Sequence, residues 1–255
     1  MSLRIDIGWL IATLLVSVRV ASATMIAPVF GPSQVPAAAR IILVLGLSAF
    51  LVAAAPIPAV TVTNLATLIF AVFGEIFFGL AFAFGFLIAY AATQVAGRAL
   101  DIQMGFGAAS VLNPATQVVS PLVGSVFGMV AIAGFLAMDG HLLLIRALAA
   151  SIQSMPPGTS LLELDPVLIL KHSSVMFTFG LALAAPIMFT LLLADVAMAV
   201  FARSMPQLNV FVLGFAVKIM LGLTGLALSI RVGEAILGNL FGTTFSYWGE
   251  LASGR

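Results

Sequence analysis

Long apolar runs limit the folds open to this chain more than any other feature. Residues 7–29, 39–55, 65–92, 118–138, 174–200 and 208–230 form such runs, and a shorter one, 232–248, follows. A helix needs about 20 apolar residues to cross a hydrocarbon core. Only 7% of the 255 residues are charged and 62% are hydrophobic, against about 25% charged in a soluble globular domain. Much of the surface must therefore face lipid or other apolar protein. Backbone polar groups in hydrocarbon have to bond within the chain, and a helix achieves this inside a single segment. The expected fold class is all-α: a polytopic helical membrane protein with about six spans, forming one membrane domain over 1–255.

The runs are interrupted in ways that predict broken helices and hairpins. Gly31-Pro32-Ser33-Gln34-Val35-Pro36, Pro56-Ile57-Pro58 and Met155-Pro156-Pro157-Gly158 read as turns. Asp139-Gly140-His141 breaks an apolar stretch, after which 142–152 resumes as a helix. Pro186 lies inside the run 174–200. The first run continues past the weak cleavage signal Ala21-Ser22-Ala23, so it reads as a retained helix rather than a leader. Gly124 and Gly128, and again Gly238 and Gly242, have the four-residue spacing that lets helices approach closely. The ten basic residues are spread almost evenly and give no orientation.

Composition excludes several functions. The net charge is +1, with no basic field for nucleic acid, and there is no cysteine for thiolate chemistry or metal ligation. Two histidines, His141 and His172, and nine acids form no metal-ligand spacing and no nucleophile–base pattern. No enzyme activity, cofactor or metal is expected. The charges inside apolar runs need another explanation, because each costs about 2.5–3.5 kcal/mol at the bilayer centre unless it meets protein or water. Glu75, Asp195 and Lys218 are such charges. Arg98 with Asp101, and Arg231 with Glu234, are spaced i, i+3 and share a helix face. They read either as ion pairs at a membrane boundary or as parts of a proton or ion relay.

The stretch 104–117 differs from the rest. Met104, Phe106, Val111 and Leu112 are apolar, Gly105 and Gly107 loosen the backbone, and Pro114 disfavours helix at Asn113. An apolar loop at membrane depth has to be buried in protein or line a cavity. It reads as a plug that closes a channel or as a re-entrant turn that only packs.

Short motifs in order then carry a resemblance. They are Ala27-Pro28-Val29-Phe30-Gly31 with Val35-Pro36 and Arg40; Gly74-Glu75-Ile76-Phe77-Phe78-Gly79-Leu80; Gln94-Val95-Ala96-Gly97 with Asp101, Gln103-Met104-Gly105-Phe106 and Asn113-Pro114; Asp139-Gly140-His141; and the run Pro206 to Lys218. This series, covering about residues 7–240, resembles the FliR family, a subunit of the flagellar type III protein-export gate. The resemblance implies a non-enzymatic subunit of the bacterial cytoplasmic (inner) membrane and flagellar basal body. It would be packed in a helical export-gate assembly with P- and Q-type subunits and the B-type switch subunit. Unfolded flagellar substrates would pass through the pore, and loop 104–117 would be its plug. Met104, Gly105, Phe106, Gly107, Val111, Leu112, Asn113 and Pro114 would then form or shape the seal. Glu75, Arg98, Asp101, Asp139, Pro206, Asn209 and Lys218 would serve assembly and packing. The related injectisome T proteins are an alternative, and a small-molecule secondary transporter with broken helices is a further one.

Overall fold

The computed structural model describes residues 7–25, 36–54, 64–106, 122–158, 165–204, 210–228 and 230–254. All regular structure among them is helical: α1 (Ile7–Met25), α2 (Ala37–Ala54), α3 (Leu65–Met104), α4 (Leu122–Ala137), α5 (Gly140–Ser154), α6 (Pro166–Ser204), α7 (Val210–Leu228) and α8 (Ile230–Ser253). The chain is an all-α polytopic membrane protein. Helices α1, α2, α3 and α6 are each long and apolar enough to cross a membrane; α4 with α5, and α7 with α8, are bent pairs that bring the number to six if each pair is one span.

Two helices outrun their apolar segments. α3 continues twelve residues past 92, and α6 begins eight residues before 174. The added turns carry polar residues such as Gln94, Arg98, Lys171 and His172. Polar side chains end a hydrophobic run but leave the local i→i−4 bonding of a helix intact, so hydropathy underestimates both. At 1.5 Å per residue α3 is about 60 Å long, about twice the thickness of a hydrocarbon core.

The helix ends are set by local chemistry. Asn64 caps α3: its Oδ1 accepts the Thr67 N–H at 2.8 Å, and the Asn64 N–H donates to Thr67 Oγ1 at 3.3 Å. Asp165 Oδ1 accepts the Val167 N–H at 2.8 Å, with Pro166 at the first helical position, where its missing donor costs nothing.

The helices form two compact units. Unit 1 comprises residues 1–88, 135–173 and 242–255; unit 2 comprises 89–134 and 174–241. In unit 1, Ala12, Val16 and Val20 of α1 pack on Val44, Leu51 and Val52 of α2, with Ile152 of α5. Gly79 brings α3 onto α1, since a Cβ there would collide with the Ser22 side chain and the Arg19 carbonyl. α8 is anchored to α3 by Tyr247, which donates to the Ala81 carbonyl at 3.0 Å, and by Trp248, which donates to the Phe82 carbonyl at 2.9 Å. His172 stacks on Tyr247 with ring centroids 4.2 Å apart.

In unit 2, Ala96, Leu100 and Met104 of α3 pack with Val123 of α4 and with Leu183, Ala184, Ile187 and Leu191 of α6. The Gly124–Gly128 spacing is used here. Gly124 lies directly against Gly97, and a Cβ on Gly128 would meet Gln94 and Tyr90. At Gly238 and Gly242 a Cβ would meet no atom within 4 Å among the described residues.

Candidate functional site

The end of α3 is built as a stop and a clamp. Gly105 has φ +88°, its N–H donates to the Ile102 carbonyl at 3.1 Å, and the Phe106 N–H donates to the Asp101 carbonyl at 2.9 Å. This paired bonding is a Schellman motif, which needs a left-handed residue and therefore favours glycine. Gly105 thus terminates the helix; in the loop reading it only loosened the backbone. Met104, the last helical residue, is fully buried in the core of unit 2, with Gly222 of α7 directly over it. Phe106 packs partly buried against the same core. Gly107, Val111, Leu112, Asn113 and Pro114 lie outside the described residues, as do Pro206 and Asn209.

Asp101 closes the base of this loop. Its carboxylate accepts the N–H groups of Val123 at 3.0 Å and Gly124 at 3.3 Å. These are donors in the first turn of α4, which lack intrahelical partners and carry the positive end of the helix dipole. Gln94 adds a bond from its amide to the Gly124 carbonyl at 2.9 Å. The residues on either side of 107–121 are therefore held together through one buried carboxylate. The i, i+3 pairing of Asp101 with Arg98 is not made: Asp101 is turned inward to α4, and Arg98 is exposed without an ion-pair partner among the described residues. The α4 donors win because they are fixed, close and already desolvated. Arg231, which was to pair with Glu234, has no described side chain.

Glu75 has a partner that the sequence did not connect to it. Arg19, in the second half of α1, places Nε 2.6 Å from Glu75 Oε2 and Nη2 3.1 Å from Oε1. Side-chain exposure is 0% for Arg19 and 1% for Glu75. The remaining arginine donors reach Ser151 Oγ and the Met155 carbonyl, both at 3.1 Å. Glu75 Oε1 also accepts the Gly158 N–H at 2.9 Å, and the Phe78 ring lies 5.0 Å from the guanidinium. One bidentate pair thus joins α1, α3, α5 and the Met155–Gly158 turn within unit 1.

Lys218 pairs with Asp195 at 2.5 Å, linking α7 to α6 in unit 2. Their side chains are 25% and 39% exposed in an otherwise apolar setting. Asp139 occupies the turn between α4 and α5 with φ 54°, and its side chain makes no capping bond. Its carbonyl accepts the Leu142 and Leu143 N–H groups at 2.9 and 3.1 Å. Glu75 and Lys218, the two lone charges of the sequence reading, therefore belong to separate pairs in separate units. Arg19 was missed as a site residue, although a charge in the middle of an apolar run is the same signal that drew attention to Glu75. Among the described residues no cluster of three His, Cys, Asp or Glu could hold a metal ion.

Comparison with known proteins joins these features to a family. The model of the bacterial export proteins, family 1, matches residues 10–244. The chain is 32% identical over 240 residues to the flagellar biosynthetic protein FliR of Bacillus subtilis, covering 91% of each chain. It is 29% identical over 236 residues to FliR of Escherichia coli K12, covering 92% of this chain and 90% of that one. It is also 27% identical over 158 residues to the secretion system apparatus protein SsaT of Salmonella typhimurium, covering 61% of each.

Proposed function

The chain belongs to the bacterial export proteins of family 1, and from that premise we propose that it is a subunit of the flagellar type III protein-export gate, embedded in the bacterial inner membrane. It acts without catalysing a reaction. It assembles with P- and Q-type subunits, and with the B-type switch subunit, to form the pore through which unfolded flagellar proteins leave the cell. Residues 1–255 work as one FliR-like domain, a reading supported by the family match running across both compact units.

The single observation that carries the gate reading is the full-length similarity to flagellar relatives, at 29–32% identity with at least 90% of each chain covered. The anchoring on either side of 107–121 supports a plug there. Loop 104–117 starts at a fixed helix stop, and Asp101 holds its base to α4. In this reading the plug is held on both sides, at the α3 stop and at the first turn of α4. Met104, expected in the seal, is instead buried in the subunit's own core with Phe106 packed beside it, so in this reading the two anchor the plug and Gly107, Val111, Leu112, Asn113 and Pro114 supply or shape the seal. Lys218 and Asp195, half-exposed within apolar helices, face a partner subunit or a polar lumen.

The injectisome reading has its own observation in the similarity to SsaT. It covers 61% of the chain, against 91–92% for the two flagellar relatives, and the flagellar assignment is therefore preferred. Native mass spectrometry of the tagged protein, gently extracted from its own membranes, tests the proposal. Recovery with several copies of two small hydrophobic flagellar subunits is expected. Recovery as a lone monomer or homodimer, under conditions that preserve other membrane complexes, would overturn the gate and return the transporter. Recovery with virulence-system subunits instead would select the injectisome.

A further inference from the structure

The run Pro206 to Lys218 enters α7, and its last residues fit two other helices of unit 2. Gly214 and Lys218 are four apart and share one side of α7. That side meets α6: a Cβ on Gly214 would lie 3.9 Å from Met198 Cε, and Lys218 Nζ is 2.5 Å from Asp195 Oδ1. Phe215 and Gly222 are seven apart and also share a side. That side meets the end of α3. The Phe215 ring fills the place of a Cβ on Gly105, with Cδ1 2.7 Å from that position, and a Cβ on Gly222 would lie 2.6 Å from Met104 Sδ.

Position 105 is therefore restricted to glycine twice over. Its φ of +88° is unfavourable for a side chain, and Phe215 leaves no room for one. Leu221 and Leu226 pack on the core of unit 2 further along α7. Gly222 is the only buried residue among those of α7 whose burial is described. Phe215 is thus the α7 side chain that bears directly on the residue where α3 stops. We propose that Phe215 is a positioning residue, which holds the stop at Met104–Phe106 and so sets the direction in which the chain leaves α3. The proposal rests on the plug reading and adds to it the group that seats the root of the plug.

Hydrogen exchange tests the contact, and ion leak tests its use. In the full chain in detergent, Phe215→Ala should speed exchange of the Phe106 N–H, which donates to the Asp101 carbonyl, about tenfold, the order expected for losing a part-buried aromatic ring. The Val123 and Gly124 N–H groups, held by the Asp101 carboxylate, should keep their rates. Phe215→Leu should recover most of the protection. In assembled complexes Phe215→Ala should raise the ion leak severalfold, and Phe215→Leu much less. Side chains at 104 and 222 meet, and the chain has no cysteine, so Met104→Cys with Gly222→Cys can tie α7 to the end of α3 by a disulfide. Added to Phe215→Ala, this pair should lower the leak when oxidised and lose that effect on reduction. Unchanged exchange at Phe106 in Phe215→Ala would overturn the proposal, and this reading does not require assembly. So would equal leak in the oxidised and reduced proteins once mass spectrometry shows the bond formed. Deletion of 108–113 separates the proposal from the reading beneath it. If the deletion raises the leak of assembled complexes and Phe215→Ala does not, the plug stands and Phe215 does not position it. If neither raises the leak, the plug itself falls, and the proposal with it.

Discussion

The two ion pairs among the described residues each join a cation to a carboxylate, in opposite surroundings. Arg19–Glu75 in unit 1 is withdrawn from its surface, and five hydrogen bonds join its two side chains to each other, to Ser151 and to the backbone of Met155 and Gly158. Lys218–Asp195 in unit 2 is one contact, 25% and 39% exposed. The first pair is complete within the chain, so its work is to hold four segments of this subunit together. The second is incomplete, because an ammonium and a carboxylate each have bonding capacity beyond their mutual contact. In the proposed assembly that capacity would be met by a partner subunit or a polar lumen. The contrast sets a charge pair that serves folding beside one that, in the proposed function, serves assembly.

The largest expected effect comes from opening the closed pair. Glu75→Gln leaves the Arg19 guanidinium buried without a counter-charge, which costs about 3–5 kcal/mol. The variant should show a sharp loss of folded protein in the membrane and a lower thermal midpoint in detergent. Replacing both partners, Arg19→Met with Glu75→Leu, should restore most of that loss, since buried pairs are often matched by apolar residues of similar volume. A Glu75→Gln protein as stable as the parent would show that the pair is not sealed from water, and the distinction between the two pairs would fail.

The next effect is smaller and lies in unit 2. Asp101→Ala removes two hydrogen bonds to backbone donors of α4 and should cost about 1–3 kcal/mol. The expected consequence in assembled complexes is faster hydrogen exchange at Val123 and Gly124, together with a higher ion leak across the membrane. Faster exchange with no change in leak would assign the clamp to packing only and count against a plug in loop 104–117.

How much of this was legible depended on whether a feature is local. The segment order, the six apolar runs, the helix over 142–152 and the break at Asp139-Gly140-His141 could be read directly, because hydropathy and turn chemistry act over a few residues. The Gly124–Gly128 spacing identified a close approach but not its partner, Gly97. The charges were recognised as anomalous one at a time, while their pairing was hidden: Arg19 and Glu75 are 56 residues apart, and no local rule joins positions that distant. Asp101 shows the reverse error. Its i, i+3 spacing to Arg98 was a sound local inference, and a tertiary contact with α4 overrode it.

The smallest effect on folding should be the most informative about assembly. Lys218→Leu removes one contact between part-exposed groups, and such pairs contribute at most about 1 kcal/mol. The isolated chain should therefore insert and fold nearly as before, while the yield of co-purifying subunits and motility should fall. Normal complex yield and motility would count against an outside partner for Lys218. The double variant Lys218→Leu with Asp195→Leu then decides what the pair does. If the pair only neutralises two charges in an apolar face, removing both should restore assembly. If its unmet bonding capacity is completed by another subunit or by a polar lumen, the double variant should assemble no better than the single one.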